Sequence, residues 1–150
     1  MLRDAQLQFD SALALTAAAK STNTIDAGIA RDLGTGKDLF VVVTINTTFT
    51  DGGTNAGTQV SLEGSLTGGS AFTTFVDAPL FTIPQAAAAG SGPYYGRVNP
   101  GSLNNQAGNV EFIRLSYAPL VANLTGGALS AFITDSIAAY TSYARGYTVS

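Results

Sequence analysis

Hydrophobic and polar positions alternate along this chain in short runs separated by turn signals. Leu39-Phe40-Val41-Val42-Val43-Thr44-Ile45 is the strongest run. It is β-branched and apolar on both faces, with Gly34 and Gly36 before it and Asp51-Gly52-Gly53 after, which predicts a strand central in its sheet. Val60, Leu62 and Leu66 alternate with Gln59, Ser61, Glu63 and Ser65, predicting a strand with one face on a core and one in water, ended by Gly68-Gly69. Residues 71–76 and 80–83 predict two shorter strands, because Pro79 and Pro84 cannot donate to a ladder and belong at strand boundaries. Ala86 to Ala89 before Gly90 suggests a helical turn or a loop. Tyr94 to Val98 predicts a short strand closed by the turn Asn99-Pro100-Gly101.

In residues 110–117, Ile113, Leu115 and Tyr117 share one face and Val110, Phe112, Arg114 and Ser116 the other. In residues 128–134, Leu129, Ala131 and Ile133 lie opposite Phe132. The N-terminal part admits two readings. Residues 5–19 are rich in alanine and leucine, which favours a helix, whereas the alternation of Leu13 and Leu15 favours a strand over 12–16, the reading preferred here. Residues 21–26 read as a further short strand. About eight or nine strands at spacings of roughly 8–12 residues predict an all-β antiparallel sandwich or barrel.

Composition narrows the chemistry. At 150 residues one domain is the default, spanning 1–150, with a core able to bury about 70 % of the unfolded chain's surface. Residues 135–150 stand apart: Ile137, Tyr140 and Ala144 have helical spacing, and the segment reads as an interaction tail laid over a neighbour. The chain has no cysteine, histidine or tryptophan, which removes the common zinc sites and the usual nucleophile–base triads. The acids sit mostly beside glycines in turn-like segments, and no spacing brings two together as a glycosidase requires, so no catalytic residue, metal site or cofactor is expected. Asp51-Gly52-Gly53-Thr54-Asn55 lacks the spaced acids of a calcium loop and reads as a turn. Gly34-Thr35-Gly36-Lys37 lacks the full spacing of a phosphate-binding loop.

The seven basic residues are scattered, with none between Lys37 and Arg97, so nucleic acid is not an expected partner. The first residues lack the basic start and apolar core of a secretory signal, and no apolar run spans a bilayer, so neither export nor a membrane is expected. With 45 % hydrophobic residues, 11 % charged and a net charge of −3, the chain has little electrostatic protection against self-association. Some apolar surface is therefore expected to be covered by a partner. The aromatic residues Phe112, Phe132, Tyr140, Tyr143 and Tyr147 are the candidate contacts, set against ordinary core packing for Phe112 and Phe132.

The order of several segments carries a resemblance: Asp4-Ala5-Gln6, residues 21–28, Leu39 to Val43 running into Thr50-Asp51-Gly52-Gly53, Ile83-Pro84, residues 112–117 and residues 143–148. In that order the chain resembles the capsid cement (decoration) proteins of tailed bacteriophages typified by the Bordetella phage cement protein. It departs from them in the long polar stretch 99–109 and in its poverty of lysine. The resemblance implies a jelly-roll-like β-sandwich on the outer surface of the virion capsid, made in the host cytoplasm. It also implies the major capsid protein as partner and a homo-oligomer, a dimer or trimer, of the chain itself. A carbohydrate- or receptor-binding jelly-roll module of a virion is the alternative, with Tyr94-Tyr95 as its ring candidates. A tail-tube or head-joining protein is a third reading.

Overall fold

The computed structural model describes residues 7–26, 39–65, 72–98 and 111–134. Nine strands occur among them: β1 (Gln8–Ala14), β2 (Ala19–Lys20), β3 (Ile25–Asp26), β4 (Leu39–Asp51), β5 (Thr58–Ser65), β6 (Thr73–Ile83), β7 (Tyr94–Val98), β8 (Phe112–Pro119) and β9 (Leu124–Thr134). One sheet runs β1-β9-β4-β7 and the other β2-β8-β5-β6, with β3 also on β8. Every pairing is antiparallel.

Because β2 and β3 both lie along β8, at Ser116–Tyr117 and Phe112–Ile113, they act as one interrupted strand. Eight strands then form a nested ribbon in which β1 pairs β9, β2 and β3 pair β8, β4 pairs β7, and β5 pairs β6. Rolling the ribbon brings β9 onto β4 and β8 onto β5, which is the double-sheet winding of a jelly roll. The all-β sandwich expected from the sequence is the architecture observed.

The core lies between the sheets. Val41, Val43, Ile45, Leu129, Ala131 and Ile133 from the first sheet meet Val60, Leu62, Leu115 and Tyr117 from the second. Period-two alternation sends these residues to one face, as it predicts. At the β6–β7 margin the two sheets touch so closely that a Cβ on Gly96 would stand 2.7 Å from the Phe81 ring. Gly127, at φ +142°, likewise leaves the space that the Phe49 ring fills.

Several expectations require correction. The N-terminal run is a strand and not a helix, but it spans Gln8–Ala14 and not 12–16. Two β-bulges break its register against β9, the first between Gln8 and Asp10, and they turn Phe9 and Asp10 both inward. Residues 21–26 give only the two-residue β3, since Ser21 uses its side chain as well as its backbone to hold Leu115. The two strands expected on either side of Pro79 are one, because β6 is an edge strand whose outer side needs no ladder donor. β5 is not wet on its second face either: Ser61, Glu63 and Ser65 are buried. The turn 99–101 and the tail 135–150 lie outside the described residues.

Candidate interaction surfaces

Three surfaces can meet a partner: the two outer sheet faces and the end of the sandwich where the described connections gather. On the first sheet, strand alternation places Phe40 and Val42 of β4, Phe132 of β9 and Tyr95 of β7 on the outer face. Cross-strand register sets Phe132 beside Val42 and Val42 beside Tyr95. Phe40 and Tyr95 meet edge to face, with ring centroids 6.3 Å apart and planes at 79°. Tyr95 is 46 % exposed, whereas Val42 and Phe132 are buried within the single chain.

The outer face of the second sheet is polar. Glu63 on β5 is buried and takes Lys20 of β2 at 2.5 Å on one oxygen and Arg114 of β8 at 2.6 Å on the other. Lys20 also donates to Ser116 Oγ at 2.9 Å, and the Arg114 guanidinium lies 3.9 Å over the Phe72 ring. Burial acts to raise the Glu63 carboxyl, but the hydrogen bonds and charges of Lys20 and Arg114 outweigh it and hold the group below its usual range. Phe112 sits half-buried on this face opposite Ser65.

Strand directions place the connections 15–18, 52–57, 84–93 and 120–123 at one end of the sandwich. Hydrogen bonds tie three of them together. Leu120 exchanges backbone bonds with the first loop, accepting from Ala56 N–H at 3.0 Å and donating to the Gly57 carbonyl at 2.8 Å. Buried Asn55 donates through Nδ2 to the Ala122 carbonyl at 2.5 Å and accepts from Gly57 N–H at 2.7 Å. The Asp51 carboxylate accepts from Gly53 N–H, Asn55 N–H and the Gln85 amide. Desolvation opposes its ionisation, yet these donors outweigh it and lower the pKa. With its oxygens turned to N–H donors, this segment is built as a turn, the reading favoured over a calcium loop.

The aromatic candidates do not form one surface. Phe112 and Phe132 lie on opposite outer faces, and Tyr140, Tyr143 and Tyr147 fall outside the described residues. Tyr94 and Tyr95 diverge as well: Tyr94 packs against the core with its hydroxyl 3.1 Å from Ser91 Oγ, while Tyr95 points outward. Two buried acids, Asp10 and Glu63, break the expectation that acids occupy solvated turns. Asp10 accepts from Tyr117 Oη at 2.5 Å and from Thr22 N–H at 2.7 Å. No group of three or more acidic side chains able to hold a metal ion occurs among the described residues, and no described helix is long and apolar enough to cross a membrane. Against known proteins, no family model matches the chain and no curated protein is significantly similar to it.

Proposed function

We propose that this chain is a structural capsid cement protein of a tailed-phage head, which coats the outer surface of the shell and ties adjacent major capsid subunits together. The observation that carries this reading is the jelly-roll winding, the architecture the sequence resemblance implies. Fold alone does not specify function, so the reading rests on that winding joined to the order of segments that resembles cement proteins. The mechanism is multivalency. A contact of modest strength, repeated across a symmetric lattice, raises the free energy needed to split the shell, because a ligand that binds only the assembled state stabilises it.

The carbohydrate-binding alternative draws less support, because a glycan platform built on Tyr94 and Tyr95 needs both rings on one side and they face opposite ways. Mass spectrometry and cryo-electron microscopy of gradient-purified particles from the genome that encodes the chain provide the test. The expected result is density for the jelly roll at hundreds of positions on the shell. A single ring of copies, or none, overturns the reading.

A further inference from the structure

The connections 15–18, 52–57, 84–93 and 120–123 contain no Asp, Glu, Lys or Arg, although connecting loops are where a chain ordinarily places its polar surface. Their exposed positions are instead small or uncharged, among them Ala17, Ala18, Ala56, Ala88 and Ala89. From this end projects Val121, 86 % exposed. A scattered exposed aliphatic needs no explanation by itself. The backbone beneath this one does. Val121 has φ +69°, and the Ala122 N–H bonds the Leu120 carbonyl at 2.8 Å, closing a three-residue γ-turn of the rare, strained hand. A β-branched residue is the least suited to that conformation, and glycine or asparagine would adopt it with less strain. The turn is held by Asn55 and by the paired Leu120 bonds to the neighbouring loop, so the side chain is presented rigidly.

We propose that this end, whose connections carry no charged side chain, is the foot by which the chain stands on the shell, with Val121 seated in an apolar socket repeated over the shell surface. The inference rests on the cement reading and adds to it the surface that touches the shell. The occupant is a lattice and not a second copy. The exposed residues of these four connections are fewer than the roughly 20–30 a side that a stable two-body interface uses, and none is an aromatic or arginine anchor. Contacts this small hold only when many are made at once, which a shell offers and a free dimer does not. A preformed turn suits that role, since it loses little freedom on docking.

Val121→Gly separates folding from docking. Relief of the strained turn keeps or raises the melting temperature of the isolated chain, while loss of the side chain weakens binding to heads about tenfold, as expected for burial of one valine. Binding is read by titrating purified chain onto heads prepared from a particle deleted for its gene. Should the glycine variant melt lower than the wild type, Ala88→Glu decides the matter from a different connection, by placing a charge on the same face. Failure of the wild-type chain to bind heads overturns the cement reading and this inference with it. Wild-type binding that the deciding variant leaves unchanged overturns the foot alone. A deciding variant that alters sedimentation of the free chain, and not its affinity for heads, identifies the end as a self-contact and also overturns it.

Discussion

Asp10 and Tyr117 join a buried carboxylate and a buried phenol across the two sheets. Removing the hydroxyl leaves the carboxylate with Thr22 N–H and short of a donor. Tyr117→Phe is therefore expected to lower the unfolding free energy by about 1–3 kcal/mol, read as a lower urea midpoint at unchanged slope. An unchanged midpoint would remove the pair from any account of stability. Burial first, then the Asp10 charge and hydrogen bond, push the Tyr117 phenol well above 10.0. The stability tied to that proton is complete below about pH 10 and is lost as pH rises through the raised folded value, so the phenylalanine variant loses less on the alkaline side. Thr58 is the opposite case, with a buried hydroxyl that has no partner. Thr58→Val is expected to be neutral or to stabilise by up to about 1 kcal/mol in the same assay. The sequence put Tyr117 on one face with Ile113 and Leu115, and the continuous register of β8 on β5 makes that face the core side. The sequence did not show Asp10 there, since strict alternation sends Asp10 away from Phe9 and only the bulge brings both inward.

At the scale of elements, the two-residue β2 is held as much by side chains as by its ladder. Lys20 reaches across β8 to Glu63, and Arg114 grips the same carboxylate from the strand between them. The Glu63 pKa is depressed on folding, so its contribution is present above about pH 4.5 and fades as acid titrates through the lower folded value. Glu63→Gln should flatten stability against pH in that acidic window and cost roughly 1–3 kcal/mol at neutral pH, measured by denaturation across a pH series. A wild-type acid limb surviving intact in the variant would assign it to other carboxylates. None of this was readable in order along the chain, because Lys20, Glu63 and Arg114 meet only through strand pairing. The continuity of β6 through Pro79 was hidden for the same reason: whether a proline ends a strand depends on the strand being interior or edge, which is settled by the sheet. β4, by contrast, was plain, since a run apolar on both faces has one place to go, the middle of a sheet.

For the whole molecule, the four connections at the end assigned to the shell carry no charged side chain, while Asp10 and Glu63 are buried elsewhere in the sandwich. Ten acids and seven basic residues serve the chain, the Lys20–Glu63–Arg114 group is satisfied on one sheet, and the four connections at the foot have none. In the sequence 52–55 read as a turn and 86–89 as a helical turn or a loop, while 15–16 fell within an expected strand; only the jelly-roll winding gathers these connections at one end. Affinity for the shell should therefore be nearly independent of ionic strength, changing less than about threefold between roughly 0.05 and 0.5 M sodium chloride, because screening acts on exposed charges, the four connections carry none, and the Asp51 carboxylate at their border is engaged by Gly53, Asn55 and Gln85. Sulfate, which favours burial of apolar surface, should strengthen attachment at the same ionic strength. Titration of the chain onto heads at several salt concentrations reads both effects. A steep fall in affinity with sodium chloride would mean that charged residues elsewhere on the chain make the contact, and would take this end out of it. Flat behaviour in chloride with a gain in sulfate is the signature of small apolar contacts summed over a lattice, where the strength of the coat comes from the number of seats and not from the grip of any one.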